Sequence, residues 1–249
     1  MSARSLLAGV VAAALLAGAA RAETIDELLV QARDAKDAAA LKPIEARLRI
    51  LLSAEDTDRL AAALVPPHVV LTPLVLDLLD AKCRGPAAVE ALKRLSSSPP
   101  AWYAAAILRT RCRMGDAEAL QRLQDKSDDA TLKPADRNEY VRALCELALK
   151  SDPDVRRETL KTLGSLRLEA GLETLLIAMA DAEPAIRDEA AASLKATMAS
   201  LFPYVWLDLK AAGYEAKGGT DEGRRKAIDA IRAYLAAAKV PLGTPKPRK

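Results

Sequence analysis

Few side chains in this sequence could do chemistry, and their spacing narrows the options further. His68 is the single histidine, set between Pro67 and Val69 with no Cys or acidic cluster beside it. A zinc site needs three or four protein ligands, and a catalytic base needs a Ser or Cys within reach to activate. His68 therefore reads as a loop residue. No His-Glu-x-x-His, Gly-x-Ser-x-Gly or glycine-rich phosphate loop occurs. Gly218-Gly219-Thr220-Asp221 could open a helix toward an anion, but the acid at its mouth opposes that. No catalytic, cofactor-binding or metal-binding residue is assigned, and no cofactor is expected.

The three cysteines are more specific. Lys82-Cys83-Arg84-Gly85-Pro86 precedes Ala91-Leu92-Lys93-Arg94-Leu95, and Arg111-Cys112-Arg113-Met114-Gly115 precedes Ala119-Leu120-Gln121-Arg122-Leu123. The offset is 29 at the Cys-Arg pair and 28 at the Ala-Leu pair. Cys83 and Cys112 thus fall at equivalent ends of neighbouring helices, where a disulfide is one expectation and a pair of free thiols the other. Packed helix axes lie about 8–10 Å apart, whereas disulfide Cα atoms want about 4.4–6.8 Å. A bond would need local convergence. Cys145, on an apolar helix face, reads as a small core residue.

The elements that would position these residues are helices. The composition, 51% hydrophobic and 3% aromatic, is that of an Ala/Leu-rich helical chain, and no run of alternating β-branched residues marks a strand. Helices are expected over 24–33, 38–52, 54–64 and 69–83, with Pro66-Pro67 parting the last two. Lys126 to Pro134 is polar and breaks the rhythm. Asp136–Lys150 follows, reading as a second-type helix whose partner is missing or degenerate, and the repeat boundary between 116 and 150 stays unassigned.

The clearest repeat lies beyond it. Asp152-Pro-Asp-Val-Arg156 returns as Asp181-Ala-Glu-Pro-Ala-Ile-Arg187, and Val155, Arg156 and Leu163 map onto Ile186, Arg187 and Leu194 at an offset of 31. A helix pair recurring at about 30–45 residues indicates an α-solenoid, since one pair cannot bury its apolar face until another stacks on it. The fold class expected is all-α, as stacked antiparallel helix pairs. An Asp at a helix start should accept backbone N–H bonds and suit the helix dipole.

These residues resemble the HEAT family, specifically its short bacterial repeats of the phycobilisome-lyase type. The matching features are the acidic turn, the Val-Arg or Ile-Arg pair, and Leu163-Gly164 at the first helix's end. The resemblance covers about residues 150–198 and is weaker before them. It implies that Asp152, Arg156, Asp181 and Arg187 are structural, bonding between successive repeats. It also implies, as an alternative function, an auxiliary subunit or lyase-like enzyme for chromophore proteins.

Both ends differ from the middle. Met1–Ala22 reads as a secretory signal: Arg4 in the n-region, an apolar centre over 6–19, and Ala20-Arg21-Ala22 as the cleavage site. The run is too short for a comfortable membrane span. A periplasmic or secreted product cut before Glu23 is expected. Losing Arg4 and Arg21 takes the net charge from +3 to +1. That balance, with interspersed signs, excludes a nucleic-acid track.

From Leu201 the texture changes. Phe202, Tyr204, Trp206 and Tyr214 are four of eight aromatics within 13 positions. They are expected either to cap the repeats or to bind a partner, with Phe202 and Trp206 sealing the end against Ile228, Ile231 and Tyr234. The order Gly213-Tyr214-Glu215, Arg224-Arg225-x-Ala227-Ile228 and Arg232-x-Tyr234 resembles a module that often follows HEAT-like repeats in exported bacterial proteins. That module often has Trp where this chain has Ile231 and Tyr234. From Lys239, Pro241, Pro245 and Pro247 break a basic tail, expected to be extended and solvated.

The organisation expected is a signal at 1–22, repeats over 23–200, a capping module over 201–238 and the tail over 239–249. The expected function is a noncatalytic, exported scaffold that binds another protein as a monomer. No nucleic acid and no membrane span are involved.

Overall fold

The computed structural model describes residues 23–96 and 100–243, and every regular element among them is helical. The helices are α1 (Ile25–Asp34), α2 (Ala38–Leu51), α3 (Thr57–Ala63), α4 (Leu71–Lys82), α5 (Pro86–Leu95) and α6 (Ala101–Arg113). They continue as α7 (Ala117–Asp128), α8 (Pro134–Lys150), α9 (Pro153–Leu166), α10 (Leu172–Ala178), α11 (Pro184–Leu201) and α12 (Asp221–Ala237). Single 3-10 turns, Ala54–Asp56 and Glu169–Gly171, lead into α3 and α10. Met1–Ala22, which carry the expected secretory signal, lie outside the described residues. No helix among the described residues is long and apolar enough to cross a membrane.

Local chemistry explains most helix starts. Thr24 accepts from Glu27 N while Glu27 reaches back to Thr24 N, a reciprocal capping box that opens α1. Asp37, Asp116 and Thr220 accept backbone N–H groups at the starts of α2, α7 and α12. Pro86, Pro134, Pro153 and Pro184 each stand at the first helical position, where the missing N–H costs no intrahelical bond. His68 has a local job: its Nδ1 accepts from Leu71 N at 3.2 Å, and its own N–H donates to Thr72 Oγ1 at 3.1 Å. Those bonds start α4 at Leu71, two residues later than expected.

Each of α1 to α11 packs on a sequence neighbour and, along most of that stretch, on the next helix but one. α2 contacts α4, α4 contacts α6, α6 contacts α8 and α8 contacts α10, while α3 contacts α5, α7 contacts α9 and α9 contacts α11. α8 does not lack a partner, as its sequence suggested: it packs against α6, α7, α9 and α10. The polar stretch before it is the end of α7 and a short turn in which Asp129 Oδ1 accepts from Thr131 N. A polar surface on α7 had hidden a regular connection.

α9 and α11 approach closely at Gly164. A Cβ on Gly164 would stand 2.4 Å from Ser193 Oγ and 3.0 Å from Ser193 Cα. The Ser193 hydroxyl donates across the same seam to Leu160 O at 3.0 Å.

The apolar interior forms two clusters that meet in α6. Leu28 through Cys83 and Leu92 belong to the first, with Tyr103 and Ile107. Ala104, Ala105, Leu108 and Cys112 face the second, which runs on to Val240. Tyr103 is buried and satisfies its hydroxyl on Leu64 O at 3.0 Å. α6 is thus apolar on two faces, which suits a helix with neighbours on both sides.

Candidate functional site

The arginines come first, because they show what is structural. Arg156 NH1 donates to Ser151 O at 2.7 Å, and its NH2 reaches Asp181 Oδ1 at 3.1 Å, in the turn before α11. Arg187 donates to Asp181 O and Ala182 O, both at 2.7 Å, and to Ala216 O at 2.6 Å. Arg224 donates to Gly218 O at 2.7 Å and Gly219 O at 2.9 Å, and pairs with Asp221. All three stand at the fourth position of their helix and fold back onto carbonyls five or six residues earlier. Arg156 and Arg187 also reach the following turn.

Arg224 is a third copy that the sequence reading missed. The signal was available: Arg156, Arg187 and Arg224 are each followed at +7 by a buried residue, Leu163, Leu194 and Ile231. Pro134-Ala-Asp-Arg137 opens α8 with the same spacing as Pro153-Asp-Val-Arg156 and Pro184-Ala-Ile-Arg187.

The two turn aspartates act differently from expectation. Asp152 precedes α9 but makes no side-chain cap bond; its Oδ2 takes Arg84 NH2 at 2.8 Å. Pro153 removes one donor from the mouth of α9, and an arginine from an earlier turn takes the carboxylate. Asp181 does not cap α11, whose cap residue is Glu183; its Oδ1 accepts from Glu183 N at 2.9 Å within the turn.

Arg111 is a further buried charge that the sequence reading did not single out. It is 0% exposed, with Nε and NH2 on Asp116 Oδ2 at 2.8 and 2.6 Å and NH1 on Ser96 Oγ at 3.1 Å. It occupies the position of Lys82 in the earlier echo, and the acid at the start of the next helix was the available signal.

The cysteines are free, buried thiols. Cys83 lies in the first apolar cluster and donates to Ser53 O at 3.3 Å, while Cys112 lies in the second, so the Cys83–Cys112 bond is not formed. Burial, with Asp116 close by, pushes the Cys112 thiol up to about 12, and burial also raises Cys83 and Cys145. Thiols so protonated are poor nucleophiles.

The aromatic segment 202–214 divides in two. Phe202 closes α11 with its N–H on Met198 O at 2.8 Å, and Phe202, Val205, Leu209 and Tyr214 turn into the second cluster. Tyr214 OH donates to Met179 O at 2.8 Å, tying the segment to the end of α10, and burial pushes its phenol up to about 12. Gly213, at φ +79, makes the turn that delivers Tyr214.

Tyr204 and Trp206 point the other way, 74% and 84% exposed. Trp206 does not seal the end of the repeats. Val205 takes the inward place, and in this non-helical stretch the residue after it faces water. Among the described residues the Trp206 carbonyl is engaged, by Tyr234 OH at 2.9 Å. Phe202 and Tyr204 meet edge to face at 6.2 Å. Two open clefts of about 380 Å³ flank Trp206. One is lined by Lys195, Met198 and Pro203, the other by Leu207, Ala212, Ile231 and Tyr234, and Asp208 borders both.

The tail leaves from this corner. Lys239 takes a left-handed conformation, Val240 N returns to Leu235 O at 2.9 Å, and Val240 is buried. The solvated tail expected from Lys239 therefore begins with a docked residue, and Lys246, Arg248 and Lys249 lie outside the described residues.

No protein-family model and no curated protein matches this chain.

Proposed function

We propose that this chain is an exported, noncatalytic scaffold that binds another protein through the exposed aromatic edge around Tyr204 and Trp206. The observation that carries the reading is Trp206 itself, 84% exposed in a chain with only two tryptophans. Large rings are the commonest anchors of protein interfaces. Here one stands between two clefts while its neighbours Phe202 and Tyr214 are buried. The next-but-one packing of helices supports a HEAT-like solenoid as the framework, with Arg156 and Arg187 joining its turns. The noncatalytic part rests on the sequence, which has no motif able to activate water or a nucleophile.

Photo-crosslinking in the source cell tests this. A benzoylphenylalanine at position 204 should form an adduct with one other protein. The same probe at Ile50, an exposed apolar residue on α2, should not. Adducts from 204 no stronger than those from Ile50 would overturn the reading.

A further inference from the structure

We infer that the partner bound at the Trp206 edge presents an acidic residue beside an apolar one, the apolar side chain entering the cleft between Trp206 and α11 and the carboxylate meeting Lys195. This deepens the proposed function and rests on its reading of the Trp206 edge as a binding surface. The cleft has a volume of about 380 Å³, with apolar walls of Met198 and Ala199 on α11, then Pro203, Val205, Trp206 and Leu207. Met198 and Val205 belong to the buried core, so the cleft opens onto apolar interior rather than onto polar surface. Such walls accept an apolar side chain, and the charges at the rim decide what accompanies it.

Two charged residues border the cleft, Lys195 and Asp208, and they are not equivalent. Asp208 Oδ1 accepts from Ala211 N at 3.0 Å, inside the turn that follows Trp206. Lys195 is exposed and has no hydrogen bond or ion pair among the described residues. Other arginines are neutralised within the fold: Arg109 pairs with Glu146, Arg113 with Asp77 and Asp80, and Arg232 with Glu173 and Asp229. Two further cations reinforce Lys195. Arg167 NH1 reaches Ser200 Oγ, next to Ala199, at 3.4 Å, and Lys210 is exposed two residues after Asp208. Among the described residues neither pairs with a carboxylate. The edge thus carries three cations without acidic partners against one acid already held by a backbone N–H, which makes it complementary to an acid.

α11 also sets the spacing. Lys195 and Ala199 stand about one turn apart, roughly 6 Å along the helix axis, and the apolar walls begin at Met198. Each residue of an extended chain covers about 3.3–3.6 Å. On the partner, acid and apolar residue therefore lie within about two positions of each other.

Sequencing the adduct tests this. In the source cell, the full chain with benzoylphenylalanine at position 204 should crosslink to a segment carrying Asp or Glu within about two positions of an aliphatic or aromatic residue. Mass spectrometry of the crosslinked peptide reads that segment. Lys195→Glu should lower the adduct yield by about tenfold or more, since like charges then face each other, and Lys195→Arg should keep it. Asp208→Asn, whose amide oxygen can still accept from Ala211 N, should raise it. A mapped segment without an acid, or a Lys195→Glu chain that crosslinks as the parent does, would overturn the acidic partner and leave the Trp206 surface standing. Adducts from 204 no stronger than those from Ile50 would remove the surface, and the acidic partner with it.

Discussion

The turns between α8 and α12 and the segment 202–214 treat their large side chains in opposite ways. In the turns, charged Arg156, Arg187 and Arg224 fold inward onto backbone carbonyls. In the aromatic segment, Tyr204 and Trp206 turn outward while Phe202 and Tyr214 turn in. Residue type alone assigns these places wrongly. A buried arginine such as Arg187 is tolerable because carbonyls from two turns accept its donors, and an exposed tryptophan is informative because nothing among the described residues buries its ring. Burial with partners marks structure here, and exposure without them marks a surface for something else.

The largest effect expected on the inward side is at Tyr214. Tyr214→Ala should cost about 3–5 kcal/mol, as truncation of a large core aromatic does, measured by urea unfolding. Tyr214→Phe, which keeps the ring and loses only the bond to Met179 O, should cost about 0.5–1.5 kcal/mol. If the two variants are equally damaging, the ring is not what closes this end.

The arginines sharpen the contrast next. Arg187→Ala leaves three carbonyls without a donor and should cost on the order of 1.5–3 kcal/mol, more than Arg156→Ala, which frees one carbonyl and one carboxylate. The order of the two melting temperatures checks this, and Arg156→Ala as the worse variant would contradict it.

The seam between α9 and α11 should respond on a similar or smaller scale. Gly164→Ala forces a Cβ against Ser193 and should cost about 1–3 kcal/mol, as overpacking does. Ser193→Gly in the same chain should recover part of that loss. A double variant whose cost equals the plain sum of the singles would show that the two residues do not meet.

Legibility in the sequence followed periodicity. The helices from Ala38 onward and the apolar face of Tyr140, Val141, Leu144, Cys145 and Ala148 were readable, because burial repeats at the helical period. α8's packing was not, because a polar α7 resembles a loop when only composition is weighed. The Arg156–Arg187 echo was visible, but Arg224 was not, since the 202–219 segment stretches the spacing from 31 to 37. The split of the aromatics was the least legible of all. Segment 202–214 is a run of turns without period, so only coordinates show that Val205 faces in and Trp206 faces out.

The most direct test of the central contrast compares Phe202→Ala with the double variant Tyr204→Ala, Trp206→Ala, by urea unfolding followed with circular dichroism. Phe202→Ala should lose about 3–5 kcal/mol, while the double variant should stay within about 0.5 kcal/mol of the parent, as surface changes do, and fail to retain, in a pull-down, the partner that the crosslink identifies. A double variant destabilised as much as Phe202→Ala would mean that Trp206 seals the fold after all, and the outward aromatics would no longer mark a binding surface.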